Sequence, residues 1–155
     1  MHQTHDLVLL ADYFQFRLQD ASASGDLSAA WSDAAVERML ALAPGVVGLG
    51  TVRNMTVPVR LALLEQAPGI DLDAVDHAVE GPLQVESGSV AIAGCTDHLP
   101  DALHLPLASG SYRVRLSAHG LDTLSDDGLH GDDRYLVQVW PAAPGEVQVL
   151  KQWAG

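Results

Sequence analysis

The sequence predicts an all-β domain: an antiparallel two-sheet β-sandwich of about eight or nine strands, with one short helix at about residues 32–43. Three observations lead there. From Ser111 to Ser117, Tyr112, Val114 and Leu116 face one way while Arg113, Arg115 and Ser117 face the other, the period of a half-buried strand. Tyr135 to Trp140, before Pro141, reads as a second strand after a loop, Leu121 to Arg134, that holds five aspartates. Short apolar runs recur between turn residues with no internal repeat and no strand–helix alternation, which excludes a doubly wound parallel sheet. A partly closed barrel is the alternative arrangement of the same strands.

Asp6 to Asp20 reads as a first strand or a bent pair, with Phe14, Phe16 and Leu18 on one face. Ala21 to Ser28, small and polar around Gly25, is a loop. Ser32 is a good N-cap, Asp33 and Glu37 lie near the helix's positive end, and Val36, Met39, Leu40 and Ala43 recur at helical spacing until Pro44 and Gly45 stop it. Strand candidates follow at Val46 to Arg53, Thr56 to Glu65, His77 to Val85, Ser89 to Gly94, Ala102 to Ala108, Ser111 to Ala118, Tyr135 to Trp140 and Glu146 to Gln152. Pro58 puts its strand at an edge or sits at the strand's beginning, because it cannot donate to a ladder. Ala67 to Asp76 is loop rather than linker, so the 155 residues form one domain.

Hydrophobic residues make up 48% of the chain and charged ones 18%, which argues against disorder despite a net charge of -12. That charge repels phosphate backbones and anionic lipid, so neither direct nucleic-acid binding nor a membrane partner is expected. Seven of the eight cations are arginine, the side chain suited to paired carboxylates, and several are expected in ion pairs. Cys95 is the only cysteine, which excludes an intrachain disulfide and fits a buried small hydrophobe. Met1 to Asp6 lacks a basic stretch before an apolar run, so no secretory signal is read there and a cytoplasmic location is expected.

No motif fixes a reaction. The Asp-rich loop offers oxygen ligands for Ca²⁺, but its spacing is not that of an EF-hand, and a mobile acidic loop or a docking loop explains it as well. Seven histidines, His2, His5, His77, His98, His104, His119 and His130, include no helical HxxxH pair, which leaves only a convergence of His77, His98 and His104 as a zinc reading. There is no Gly-x-Ser-x-Gly elbow, and Glu37, Glu65, Glu80 and Glu86 have no context that marks a catalytic carboxylate pair. Gly45, Gly48 and Gly50 lie within a strand after the helix, so they permit close packing or a bulge rather than cradle phosphate. Of the aromatics, Tyr13, Trp31, Tyr112, Tyr135, Trp140 and Trp153, most are core candidates, and Trp153 near the end is the one expected to be exposed. No cofactor is expected.

One set of landmarks carries a resemblance. Tyr13-Phe14-Gln15-Phe16 with Asp20, Trp31-Ser32-Asp33, Gly45-Val46-Val47-Gly48-Leu49-Gly50-Thr51 and Gly110-Ser111-Tyr112-Arg113-Val114 resemble, in this order, the competence protein J family, bacterial inhibitors of the DNA-entry nuclease. The segment Leu121 to Trp153 departs from that pattern. The resemblance implies a non-catalytic inhibitor or immunity-type protein that occupies a nuclease's basic cleft. An acidic surface suits this, because aspartates can replace phosphates there and steer association. The expected docking residues are Asp122, Asp126, Asp127, Asp132 and Asp133, and the expected partner is a basic protein, a nuclease among them. A homodimer through exposed strand edges is also open. The alternatives are a small-ligand or Ca²⁺-binding β-sandwich module, with carbohydrate recognition in view, and an enzyme built on His77, His98 or His104 with a carboxylate.

Overall fold

The computed structural model describes residues 3–154, so His2 lies outside the described residues. In chain order the strands are β1 (Gln3–Leu10), β2 (Gln15–Asp20), β3 (Leu40–Ala43), β4 (Val46–Gly50), β5 (Thr56–Leu63), β6 (His77–Val85), β7 (Ser89–Gly94), β8 (Leu103–Pro106), β9 (Gly110–His119), β10 (Arg134–Pro141) and β11 (Gln148–Lys151), with one α-helix, α1 (Asp33–Arg38). They form two open sheets, a six-stranded one in the order β1-β5-β10-β9-β6-β11 and a five-stranded one in the order β3-β4-β2-β7-β8. The apolar faces meet in one core, where the Phe16 ring of the small sheet stands edge-on to the Tyr135 ring of the large one at 6.3 Å and 70°.

The all-β sandwich is as the sequence predicts, with differences in detail. Eleven strands form among the described residues, because the segment from Asp6 to Asp20 is a bent pair and the helix is shorter than expected. Ser32 does cap the helix, its hydroxyl accepting from the Ala35 N–H at 3.2 Å. The helix then stops at Arg38 rather than Ala43, where Met39 turns left-handed at φ 65°. Pro44-Gly45, with Gly45 at φ 71°, is a hairpin turn that pairs Leu40 with Leu49 and Ala43 with Val46. Sheet pairing and burial of Leu40 and Ala41 therefore override the helical spacing.

The β1–β2 bend is a tight turn over Asp12–Phe14, with Tyr13 and Phe14 at positive φ, which carries the chain from the large sheet to the small one. Phe16 and Leu18 enter the core as expected, but Phe14 points to solvent. The ladders are antiparallel except that of β5 with β10, which runs parallel. The direction of β10 is set by its hairpin with β9, and that leaves it parallel to β5. Pro58 lies in an inner strand near its start, and the β10 ladder begins one residue later at Val59, so the missing N–H falls outside that ladder. At Gly48 a side-chain carbon would come within 2.9 Å of Trp31, whose ring covers the outer face of the small sheet.

The alternation of β9 sorts two chemistries onto two faces. Tyr112, Val114 and Leu116 fill the core, while Arg113 and Arg115 meet Glu80 of β6 on the outer face at 2.9 and 2.8 Å. This triad is shielded: Arg115 donates to the Pro68 carbonyl, Arg113 to the Glu146 carbonyl, and the Trp140 ring lies 5.0 Å from the Arg115 guanidinium carbon. Removing the shared carboxylate leaves two largely buried cations unpaired. Glu80→Ala is therefore expected to cost about 3–5 kcal/mol, read as a lower urea midpoint in equilibrium unfolding.

Candidate docking face

The Asp-rich loop joins β9 to β10 at one end of the sandwich. Leu121 plugs into the core and its N–H donates to the Asp76 carboxylate at 2.9 Å. Beyond it the loop folds on itself: the Asp132 N–H donates to Thr123 Oγ1 at 2.7 Å and the Ser125 N–H to the His130 carbonyl at 2.7 Å. Asp127 accepts from Ser125 Oγ at 2.6 Å and from the Leu129 N–H at 3.0 Å, bonds that hold its carboxyl below the usual carboxylate range. The loop is an internally bonded hairpin.

The five aspartates separate into two groups. Asp122, Asp126, Asp127 and Asp132 are exposed, whereas Asp133 is buried. One Asp133 oxygen lies 2.9 Å from Arg53 Nε as an ion pair, and the other accepts from the Tyr135 hydroxyl at 2.8 Å. That hydroxyl in turn accepts from the Val52 N–H at 2.9 Å, and burial, ahead of the neighbouring carboxylate, pushes its pKa far above the ordinary value. Asp133 thus anchors the loop from inside instead of presenting charge to solvent.

The segment Thr51–Met55 ties the loop to the β1–β2 bend. Its Arg53 reaches Asp133 and, at 3.5 Å, the Leu129 carbonyl, while the Thr51 N–H donates to the Phe14 carbonyl at 3.0 Å and the Met55 carbonyl accepts from Ala11 at 2.9 Å. Three loops therefore make one end face. It displays the four exposed aspartates together with Tyr13, Phe14, Met55 and Leu129, which are exposed large hydrophobics. In the sequence this aromatic pair stands out only as a landmark of the family resemblance, not as a docking feature, since Phe14 reads there as part of an apolar strand face.

The remaining candidates lie elsewhere. His77 is buried in the large sheet with its Nε2 donating to the Arg38 carbonyl at 2.7 Å and its Nδ1 accepting from the Trp153 N–H at 3.1 Å. His98 and His104 are exposed, before and on β8 of the small sheet, and no group of three His, Cys, Asp or Glu able to hold a metal forms among the described residues. Trp153 is half-buried, not exposed as expected: its ring packs on the core and its Nε1 donates to Asp122 at 3.1 Å. Cys95 is half-buried beside Arg17, and burial raises its thiol pKa, which disfavours the thiolate. A shallow concavity of about 350 Å³ on the outer face of the large sheet is lined by Asp6, Arg60, His119 and Arg134. Among the described residues no helix is long and apolar enough to cross a membrane.

Two solved structures share this architecture over their whole length. The crystal structure of ComJ, inhibitor of the DNA degrading activity of NucA, from Bacillus subtilis, aligns with a TM-score of 0.71 at 19% identity, covering 92% of this chain and 99% of that one. The chain has the ComJ-like fold. The protein of crocagin biosynthetic gene J shares it at a TM-score of 0.60 and 20% identity, again with 92% and 99% covered. No protein-family profile matches the sequence, and no curated protein matches it significantly. At 92% coverage the alignment extends into the segment beyond Leu121, whose sequence departs from the competence protein J pattern.

His77 makes this face sensitive to acid. Burial holds its pKa below the ordinary 6.5, while the Arg38 carbonyl acts in the opposite direction. The unfolded chain therefore takes up the proton first, so this contribution to stability is complete above about pH 6.5 and falls as the pH drops below it. His119, also lowered mainly by burial, acts in the same window. Asp20 acts only below its ordinary 3.8: burial raises it, but hydrogen bonds from Ser87 and Ser22 outweigh that. Urea midpoints from pH 7.5 to 5 are expected to fall in the native protein. His77→Asn is expected to be less stable at pH 7.5 and to show a shallower fall.

Proposed function

We propose that this chain is a non-catalytic protein of inhibitor or immunity type, which binds a basic nuclease and blocks its nucleic-acid cleft with the exposed aspartates of the 121–133 loop. The observation that carries this reading is the acidic loop itself: four exposed carboxylates on a self-bonded hairpin whose base is anchored through buried Asp133. The shared fold supports it, because ComJ is described as an inhibitor of the DNA degrading activity of NucA. The physical logic is substitution. A nuclease cleft is built to hold phosphates, and carboxylates on a fixed loop satisfy its cations without supplying a scissile bond.

A net charge of -12 steers such a protein toward a basic surface and away from nucleic acid. Blocking requires no catalytic group and no cofactor. The reading places the action in the cytoplasm, in line with the single Cys95.

The test begins with tagged protein and extract of its own organism at low and moderate salt. Any nuclease retained is purified and assayed on DNA with the chain added back. Suppressed digestion supports the reading; undiminished digestion, or no retained nuclease, overturns it. Changing Asp122, Asp126, Asp127 and Asp132 together to Asn is expected to slow association with that nuclease by about tenfold to a hundredfold at low salt. It is also expected to flatten the salt dependence and leave the thermal midpoint nearly unchanged, since all four are exposed and an asparagine oxygen still accepts the bonds that Asp122 and Asp127 receive. Equal association rates for the two proteins would remove the loop from the interface.

A further inference from the structure

The Tyr13–Phe14 bend has no structural explanation in the core. Tyr13 stands at φ 58°, ψ 27° and Phe14 at φ 61°, two consecutive bulky residues in the left-handed region that only glycine adopts without strain. Among the described residues the one other non-glycine with positive φ is Met39, which is buried and ends α1. Tyr13 is 68% exposed and Phe14 52%. A corner between two sheets is made more easily with Gly or Asn, so the chain accepts backbone strain and gains no burial from it.

The strain is held in place by specific bonds. The Tyr13 N–H donates to Asp12 Oδ1 at 3.2 Å, the Phe14 N–H to the Ala11 carbonyl at 3.0 Å, and the Phe14 carbonyl accepts from Thr51 at 3.0 Å. Met55, at 36% exposure, and Leu129, at 42%, belong to the adjoining loops of the same end face. Exposed apolar side chains at the same end of the sandwich as a group of exposed carboxylates have the composition of a mixed apolar and charged interface.

We propose that Tyr13 and Phe14 are the apolar anchor of this docking face, inserting into an apolar pocket beside the cations of a basic protein partner. The inference rests on the nuclease-inhibitor reading and deepens it by dividing the labour. The exposed aspartates set the association rate and its salt dependence; the two rings set how long the complex lasts. Charge complementarity selects the occupant. A second copy of a chain with net charge -12 would bring the same carboxylates against this face, whereas Lys or Arg beside the pocket pairs with them and also stacks on the ring faces.

The experiment uses the nuclease purified by capture and compares the full chain with Tyr13→Gly/Phe14→Gly and Tyr13→Ser/Phe14→Ser by surface-bound kinetics at several salt concentrations. Val149→Ser, an exposed apolar position on β11 at the far edge of the large sheet, is the control. Both aromatic double variants are expected to dissociate at least about tenfold faster, with the salt slope of association unchanged. The glycine variant is expected to keep or raise its thermal midpoint, because it relieves the left-handed strain, so a loss of binding cannot be ascribed to unfolding. Wild-type dissociation rates in both double variants would overturn the anchor while leaving the inhibitor reading intact. Failure of the unaltered chain to retain any nuclease would overturn both.

Discussion

Burying an ionised carboxylate costs several kcal/mol unless its partners are fixed around it, and at Asp133 those partners come from separate parts of the chain. Arg53 belongs to the segment after β4, Tyr135 to β10, and Val52 supplies the N–H that completes the Tyr135 hydroxyl. The Tyr135 ring also meets Phe16 across the core, so the polar network is continuous with the packing between the sheets. Losing either Arg53 or the Asp133 carboxylate would strand a buried charge. The Asp-rich loop, the 51–55 segment and the β1–β2 bend are consequently joined through this network and the backbone bonds beside it.

The same economy governs the cations. Arg60 pairs with Asp6, Arg53 with Asp133, and Arg113 and Arg115 with Glu80, while Arg17, Arg38 and Lys151 donate to backbone carbonyls of Cys95, Leu40 and Leu72. Seven of the eight basic residues thus act within the fold, and the twenty acids far outnumber the positions where they are neutralised. The charge left facing solvent is predominantly negative, and four of those carboxylates are gathered on one loop at one end. An acidic composition alone gives solubility; acids concentrated where apolar rings are also displayed give a direction of approach.

How much of this was legible depended on whether a local pattern competed with a distant partner. The alternation through Tyr112, Val114 and Leu116 was readable because strand period and burial agree there, and Ser32 was readable because capping is local. Leu40 to Ala43 misled, since helical spacing and a hairpin after Pro44-Gly45 make opposite demands, and the pairing with β4 lies outside the window in which spacing is judged. Phe14 misled for a related reason: it shares strand parity with Phe16 and Leu18, but the left-handed bend turns it outward. Asp133 could not be told from Asp132 in a run of acids, because only the fold brings Arg53 and Tyr135 to it. The signal closest to hand was the alternation of β10, which places Tyr135 on the inward face and so near whatever carboxylate precedes it.

The Asp-rich loop is restrained at both of its ends by different chemistry. At Asp133 the restraint is a buried ion pair with Arg53. At Asp122 it is the indole of Trp153, whose backbone N–H depends on a neutral His77 to accept it. Protonating His77 replaces that acceptor with a second donor beside an N–H, so acid weakens the Trp153 end. The bend carrying Tyr13 and Phe14 is bonded to the Thr51–Met55 segment, on the Asp133 side of the network. Protonation of His77 therefore acts at the Asp122 root of the acidic loop, away from the segment that holds the aromatic display, and the two parts of the face are restrained separately even though they share one end of the sandwich.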